Sequence, residues 1–310
     1  MKRLLSMAIL GLCLAANVKA QPLIMADPTI LHTHGTYYLY GTSAAADHGF
    51  EVYTSKDLAR WTGPAGKLNG CVLTKDTSWG TQGFWAPQVI EQDGKYIMIY
   101  TANEQIAVAR ADSPLGPFTQ ATKAMLPAKT KEIDPFVFFD TDGKAYLYHV
   151  RLINGNRIYV AELNADLNNM KEETARECIS ATLPWEDTAH AQWTVTEGPT
   201  VVKMGNTYYM FYSANDFRNR DYAVGVATAT NPMGPWKKAD KPIISRHTLP
   251  GVYGTGHGDL FKDAKGHMWY VFHTHYSKEK VSPRKTAIVR VTFNKGQFSI
   301  MPKTFKFLEK

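Results

Sequence analysis

The chain repeats one short unit five times, and this repetition restricts the fold more than any other feature of the sequence. Each unit passes from an apolar stretch through a Gly, Asp or Asn turn into a strand rich in aromatic residues. These five strands are predicted at residues 37–40, 96–100, 146–148, 208–212 and 268–272. Aromatic and β-branched runs bounded by turn residues are typical of antiparallel hairpins.

A third strand follows in every unit, at residues 50–53, 106–109, 158–161, 222–226 and 286–291. The units are roughly 50 to 60 residues long, and a period of that length with three or four short strands is typical of one blade of a β-propeller. We therefore expect an all-β protein in which residues 21–310 form a single five-bladed β-propeller.

Four segments carry smaller expectations. Residues 174–180 have a weak helical periodicity that predicts a short helix, and alternation near the end of the chain predicts a strand paired with an outer blade. Segments 62–83 and 168–195 are longer than turns require, and long loops on a rigid scaffold commonly carry binding residues. These two segments contain Trp79, Trp185 and Trp193.

The first twenty residues have the features of a secretory signal peptide. Lys2 and Arg3 form a positive start, residues 4–16 are apolar, and residues 18–20 end in the small residue that cleavage requires. The bulky Leu12 disfavours cleavage as a lipoprotein before Cys13. No later apolar run approaches the ~18 residues of a membrane span. We expect residues 1–20 to be removed and the protein to be exported, to a periplasm or beyond the cell, without a membrane span.

Charge and cysteine content bear on two kinds of partner, nucleic acid and structural zinc. The formal net charge is +7, but the basic residues are scattered without a run or a stripe, which is typical of a solvated surface and argues against a nucleic-acid partner. Cys71 and Cys178 follow the predicted leader, and the sequence leaves open whether they pair. The absence of a CxxC motif or a His/Cys cluster argues against structural zinc.

The residues that open the five units are expected to converge at the propeller axis, because the innermost strand of each blade begins there. They are Asp27, Ala86, Asp134, Glu197 and His257. In a ring of five, blades 1 and 4 are not neighbours, so Asp27 and Glu197 should face each other. Blade 3 adjoins blade 4, which should place Asp134 beside Glu197.

Two carboxyl groups on opposite sides of a cleft are what glycoside hydrolysis uses. One protonates the leaving oxygen and the other activates water. A third carboxylate beside the acid would raise its pKa and keep it protonated at neutral pH. The sequence thus predicts Asp27 as general base, Glu197 as general acid and Asp134 as modulator of Glu197. The structural alternative is that Asp27 and Asp134 cap turns before proline.

The motifs that open the units, taken in order, resemble those of glycoside hydrolase family 43 over essentially the whole chain after the leader. They are Ala26-Asp27-Pro28, Phe84-Trp85-Ala86-Pro87, Ile133-Asp134-Pro135, Thr196-Glu197-Gly198-Pro199 and Gly256-His257-Gly258-Asp259. The resemblance implies a five-bladed propeller and single-step hydrolysis with inversion, with Asp27 as base, Glu197 as acid and Asp134 as modulator.

The resemblance also implies residues that bind substrate. Trp85 is expected to line the sugar pocket, His257 to lie at its bottom, and Arg284 to reach the substrate from the last unit. Many members of the family hold a calcium ion near this histidine, so the resemblance implies a structural calcium with His257 beside it, although the chain has no acidic loop dedicated to calcium. No other cofactor is expected.

The function expected first is that of an exported α-L-arabinofuranosidase acting on plant-type polysaccharide, with β-xylosidase, exo-galactosidase and endo-arabinanase as alternatives of the same chemistry. From another class, the chain could be a sugar-binding propeller without catalysis, with Trp79, Phe84 and Trp85 as stacking platforms. A retaining fructosidase or sialidase is disfavoured, because their opening motif and arginine triad are missing. The sugar and the oligomeric state stay open.

Overall fold

The computed structural model describes residues 20–310, and within that range it contains twenty β-strands and a single turn of 3₁₀ helix. The predicted signal peptide lies outside the described residues except for Ala20. The strands form five antiparallel units around a common axis, so the protein is a five-bladed β-propeller, as the repeats predict.

The first two blades are three-stranded sheets with an extra strand pair between them. Blade 1 contains β1 (Ala26–Thr33), β2 (Thr36–Thr42) and β4 (Tyr53–Ser55), while β3 (Gly49–Glu51) pairs with β5 (Cys71–Thr74). Blade 2 contains β6 (Trp85–Gln92), β7 (Lys95–Ala102) and β8 (Gln105–Ala111).

The last three blades each have four strands in sequence order. Blade 3 contains β9 (Glu132–Phe139), β10 (Ala145–Leu152), β11 (Asn156–Glu162) and β12 (Arg176–Ile179). Blade 4 contains β13 (Thr196–Met204), β14 (Thr207–Ala214), β15 (Ala223–Ala229) and β16 (Lys237–Lys238). Blade 5 contains β17 (Gly256–Lys262), β18 (Met268–Thr274), β19 (Lys285–Asn294) and β20 (Gln297–Phe307).

The helix predicted over residues 174–180 is wrong. The 3₁₀ turn covers Glu172–Thr174, and the chain then extends into β12, which pairs with β11 as the outer strand of blade 3. A pairing partner provided by the blade outweighs a weak local helical pattern. At the end of the chain, β20 forms the outer strand of blade 5, as its alternation predicts.

Five hydrophobic clusters fill the five interfaces between successive blades. The middle strand of each blade contributes to two of them. In β7, Ile97 and Ile99 pack towards blade 3, while Met98 and Tyr100 pack towards blade 1. Because both faces of a blade are covered, these strands read as continuous apolar runs in the sequence.

The ring closes where the two ends of the described chain meet in blade 5. The amide of Leu23 donates to the carbonyl of Leu308 at 2.8 Å, and the amide of Thr286 donates to the carbonyl of Leu23 at 2.9 Å. Residues before β1 therefore run beside β19, which ties the first blade to the last.

Each inner strand has a register shift near its start, where one residue adopts a positive φ. The five residues are Asp27, Ala86, Asp134, Gly198 and His257, with φ between 42° and 58°. The sequence alignment of the repeats placed Glu197 at this position, but the structure places Gly198 there. Glu197 is therefore equivalent to Trp85 and Ile133, one residue earlier, and its side chain leaves the strand in a different direction.

The described residues bear on two further predictions, the absence of a membrane span and the pairing of the cysteines. Within residues 20–310, no helix has the length and apolar character that crossing a membrane requires. In the same range Cys71 and Cys178 are both free thiols, so the pairing left open by the sequence does not occur.

Candidate active site

A cleft with a volume of about 640 Å³ lies over the starting ends of the inner strands. It brings together six residues singled out in the sequence: Asp27, Trp85, Asp134, Glu197, His257 and Arg284. The bulge at each strand start explains this convergence, because it turns the backbone and aims successive side chains at the axis. Trp85 is 36% exposed and presents its ring to the cleft.

Asp27 is buried beside one guanidinium, two histidine rings and a hydroxyl donor. The Thr42 hydroxyl donates to its Oδ2 at 2.6 Å, and Nη1 of Arg284 donates to its Oδ1 at 3.1 Å. Burial alone would raise the pKa of Asp27, but Arg284 and the neighbouring rings of His257 and His273 outweigh it and hold that pKa well below its ordinary value. Asp27 is therefore ionised across the range in which most enzymes work.

Glu197 has the opposite environment. Burial raises its pKa to about 7, and the negative charges of Asp27 and Asp216 act in the same direction. Two hydrogen bonds oppose that rise: the Tyr222 hydroxyl donates to Oε1 at 2.7 Å, and Nδ2 of Asn156 donates to Oε2 at 3.0 Å. Glu197 thus keeps a substantial protonated fraction at neutral pH.

Asp134 lies beside Glu197, as the blade order predicts. The amide of Gly198, the residue after Glu197, donates to Asp134 Oδ2 at 3.3 Å. Burial, followed by the charges of Glu197 and Asp27, raises the pKa of Asp134 well above its ordinary value. The two carboxyl groups titrate as a pair that retains a proton. The sequence predicts that Asp134 raises the pKa of Glu197, whereas in the structure burial, followed by the charges of Asp27 and Asp216, raises it.

Gly198 has to be glycine for two reasons. Its φ is +58°, and a Cβ at this position would lie 2.8 Å from ring carbons of His257. The absence of a side chain lets the Gly198 amide approach Asp134 and lets the imidazole of His257 pack against the strand.

His257 sits between the two aspartates, with Nδ1 3.5 Å from Asp27 Oδ1 and 3.8 Å from Asp134 Oδ2. Burial lowers its pKa, although the Asp27 charge opposes that effect. Within residues 20–310, no group of three or more His, Cys, Asp or Glu side chains is arranged to hold a metal ion. Calcium prefers six to eight oxygen ligands, and Asp27 already pairs with Arg284. These residues do not fit a calcium ion held by protein oxygens, and the calcium ion itself stays a prediction.

Arg284 reaches the cleft from the segment before β19. Its guanidinium packs 4.6 Å from the ring centre of Phe217 and pairs with Asp27. The sequence predicted a substrate contact for Arg284, and its position in the cleft allows one. Its direct partner in the structure is the carboxylate of Asp27.

Two other predicted sugar contacts do not lie in the cleft. Phe84 is wholly buried and stacks among Phe50 and Tyr100 in the cluster between blades 1 and 2. Trp79 packs against the same cluster, and its carbonyl accepts from the Tyr100 hydroxyl at 2.7 Å. The prediction that Phe84 stacks on sugar is wrong, because blade packing buries its ring completely. Trp79 is partly buried and does not line the cleft, and its contact with sugar stays a prediction.

Three residues at the site carried no signal in the repeat positions. Asn156, which begins β11, and Trp193, in the long segment before β13, line the cleft. Tyr222, just before β15, is buried and hydrogen-bonds to Glu197. The length of segment 168–195 pointed to binding, and Trp193 in it is 49% exposed at the cleft wall. Nothing in the sequence indicated that Asn156 and Tyr222 hydrogen-bond to Glu197.

The sequence model of the glycosyl hydrolases family 43 matches residues 21–298. The chain belongs to this family. Inversion of the anomeric centre is the general mechanism of family 43, and its hydrolytic chemistry agrees with one ionised and one protonated carboxyl group in the cleft. Membership of a family of hydrolases favours catalysis over the alternative of a sugar-binding propeller without catalysis.

Relatives within family 43 carry different descriptions. A crystal structure described as an endo-1,4-beta-xylanase from Bacteroides thetaiotaomicron is 38% identical, with a TM-score of 0.86 over 94% of this chain and 98% of that one. A beta-D-galactofuranosidase from Aspergillus niger is 26% identical over 87% of this chain and 80% of its own length. A xylosidase/arabinosidase from Bacteroides ovatus is 28% identical over 80% of this chain and 85% of its own length. The comparisons therefore establish a glycoside hydrolase without deciding its sugar.

Proposed function

We propose that the protein is an α-L-arabinofuranosidase in which Glu197 is the general acid and Asp27 the general base. The observation that supports these roles is that the pKa values of two carboxyl groups in one cleft are shifted in opposite directions. Arg284 and two histidines keep Asp27 ionised, while burial raises the pKa of Glu197 to about 7. Such a pair matches the demands of acid and base catalysis in a single step.

In the proposed reaction, Asp27 removes a proton from water as the water oxygen attacks the anomeric carbon. Glu197 gives its proton to the glycosidic oxygen as the bond between that oxygen and the anomeric carbon breaks. The products are an alcohol and a free sugar of inverted configuration. Asp134 titrates together with Glu197 and is proposed to control the supply of that proton.

The proposal for the sugar rests on the chemistry that the relatives' names share. One relative is named for β-D-galactofuranosides and another for xylose and arabinose. An α-L-arabinofuranosyl ring has the same configuration at its four ring carbons as a β-D-galactofuranosyl ring. A β-xylosidase or β-xylanase is the second candidate, favoured by the solved relative at 38% identity.

A direct test compares purified protein on nitrophenyl α-L-arabinofuranoside, β-D-galactofuranoside and β-D-xylopyranoside and on xylo-oligosaccharides, with the released anomer followed by proton NMR. We expect the arabinofuranoside to be cleaved fastest, with inversion. A preference for the xylose substrates would replace the proposed sugar and leave the proposed acid and base intact.

The roles are tested with Glu197→Gln and Asp27→Asn. Each should lower kcat/KM on a natural linkage by roughly 10²- to 10⁴-fold. The loss for Glu197→Gln should be smaller on nitrophenyl glycosides, whose leaving group needs less protonation. Glu173→Gln, a change at an exposed glutamate, is the matched control and should retain full activity. Wild-type turnover by Glu197→Gln would reject Glu197 as the acid.

We further propose that the protein is exported. The support is the positive, apolar and small-residue pattern of residues 1–20. N-terminal sequencing of the protein recovered from the periplasm or medium of an expressing bacterium should begin at Gln21. Recovery only from the cytoplasm with Lys2 and Arg3 still present would contradict it.

A further inference from the structure

Trp193 is an exposed aromatic side chain with an unusual attachment. It is 49% exposed at the wall of the cleft, so much of its surface is open to a ligand. Its polar atom is nevertheless occupied, because Nε1 donates a hydrogen bond of 2.8 Å to Oδ1 of Asn156. This hydrogen bond therefore fixes the indole of Trp193 at its N–H edge.

Asn156 continues this contact to the proposed acid. Its Nδ2 donates to Glu197 Oε2 at 3.0 Å. The backbone of Asn156 is fixed as well: its amide donates to the carbonyl of Thr194 at 2.8 Å, and its carbonyl accepts from the Thr196 hydroxyl at 3.1 Å. A continuous chain of hydrogen bonds thus joins the exposed indole to the carboxyl group of Glu197.

The indole also determines the orientation of the side-chain amide of Asn156. An indole N–H can only donate, so the oxygen of the amide must face Trp193 and its nitrogen must face Glu197. Without that donor, Asn156 could turn and offer its oxygen to a protonated Glu197. The first arrangement stabilises the ionised acid, and the second stabilises the protonated acid.

We propose that Trp193 stacks against the sugar in the leaving-group subsite. Through Asn156, Trp193 also positions Glu197 and determines how readily Glu197 releases its proton. The inference rests on the proposed function and deepens it. The leaving group lies on the side of the acid, since the acid protonates the oxygen that departs. Trp193 is two hydrogen bonds from that acid, whereas the base Asp27 and its partner Arg284 belong to blades 1 and 5.

The other ionisable groups around Glu197 come from elements that a change at Trp193 leaves in place. They are Asp27 on β1, Glu104 between β7 and β8, Lys131 just before β9, Asp134 on β9, Asp216 and Arg218 after β14, Tyr222 before β15, His257 on β17 and Arg284 before β19. In Trp193→Phe, which keeps an aromatic ring at the cleft wall, a shift in the titration of Glu197 is therefore expected to pass through Asn156.

The experiment uses Trp193→Phe, which keeps an aromatic face and removes the N–H, and Trp193→Ala, which removes both. Trp269→Phe is the matched control, because its indole also donates to a side chain, Asp263 at 3.0 Å, but lies on blade 5 away from the cleft. The readouts are the pH at which kcat/KM falls on the basic side, and kcat/KM for an oligosaccharide relative to a methyl glycoside.

Trp193→Phe should move the basic limb upward by several tenths of a pH unit, because Glu197 loses an oriented donor to its carboxylate. Trp193→Ala should show the same shift and, in addition, a roughly tenfold loss on the oligosaccharide relative to the methyl glycoside. Trp269→Phe should show neither. In an Asn156→Ala background, which shifts the limb by itself, Trp193→Phe should add no further shift.

An unchanged basic limb in Trp193→Phe and Asn156→Ala, while Glu197→Gln is inactive, would overturn this inference and leave the proposed function standing. Equal shifts with and without Asn156 would also overturn it, since the relay would then be absent. If Glu197→Gln were active, the proposed function itself would fail, which is a separate result.

Discussion

At the scale of single residues, the cleft works by giving chemically similar groups different surroundings. Asp27 is a buried and Glu197 a half-buried carboxyl group, and partial removal from water by itself raises both pKa values. Only Asp27 has a guanidinium and two imidazole rings within reach, and these outweigh its burial. Glu197 receives hydrogen bonds from the neutral groups of Tyr222 and Asn156, which reduce the effect of burial without cancelling it.

The pH dependence of activity follows from these directions. Because the proposed acid, Glu197, must be protonated, kcat/KM should fall as pH rises through about 7, the pKa of Glu197. Because the proposed base, Asp27, must be ionised, activity should fall on the acid side only below the ordinary range of aspartate. A profile of kcat/KM from pH 3 to 9 measures both limbs.

Two variants provide controls for this profile. Tyr222→Phe removes a hydrogen bond that lowers the pKa of Glu197, so the basic limb should move to higher pH. Arg284→Met removes the cation that lowers the pKa of Asp27, so the acid limb should move to higher pH. A limb that stays in place in its own variant would show that another group controls it.

At the scale of the elements, the bulges link each inner strand to the blade before it. At four of the five bulges, the amide of the bulge residue donates to a side chain at the same position of the second strand of the preceding blade. Four junctions follow this rule, with acceptors Thr42, Thr101, Ser213 and His273 for Ala86, Asp134, His257 and Asp27. At the junction of blades 3 and 4 the equivalent residue is Val150, which pairs with Ile133.

Val150 cannot accept a hydrogen bond, and the Gly198 amide donates to Asp134 instead. Val150→Thr should provide a competing acceptor and release Asp134 from this amide. Asp134 would then hold the shared proton more tightly, since the Gly198 bond lowers its pKa. We expect kcat/KM at pH 7 to fall roughly three- to tenfold.

The control for that change is Val160→Thr. Val160 is buried in the same cluster as Val150 but belongs to β11. Its replacement by threonine therefore adds a hydroxyl to the core without reaching the axis. Both variants should lose similar stability, and only Val150→Thr should alter the pH profile. If both variants lost the same activity, the cause would be loosened packing and not an effect on Asp134.

At the scale of the whole molecule, the ring is held by its five interfaces and by the closure in blade 5. Leu23 takes part in both, because it is 1% exposed in the cluster between blades 1 and 5 and pairs with Leu308 and Thr286 through its backbone. Leu23→Ala should lower the free energy of unfolding by about 2–4 kcal/mol. Urea unfolding followed by tryptophan fluorescence measures the change.

Met301→Ala is the comparison for this variant, because Met301 lies exposed on β20. It should shift the free energy of unfolding by less than about 0.5 kcal/mol. If Leu23→Ala were equally harmless, the closure would contribute little to the stability of the ring.

The sequence by itself determined the architecture, because five hairpins of the same spacing and aromatic character have few ways to bury their faces other than as blades around an axis. It also determined that Asp27, Asp134 and Glu197 share one site, since strand starts converge there. Alternation along a strand does not reveal a bulge, and one extra residue changes the direction of the side chains that follow. For that reason only the tertiary structure decided that Gly198, and not Glu197, is the bulge residue.

The tertiary structure also decided which aromatic residues are available to a sugar. Phe84 and Trp79 are close in sequence to Trp85, yet blade packing buries the first and partly buries the second. Trp193 and Asn156 meet Glu197 from separate parts of the chain, through contacts at a sequence separation of about 40 residues. Such contacts depend on how blades 3 and 4 pack together, and no local pattern of residue types encodes them.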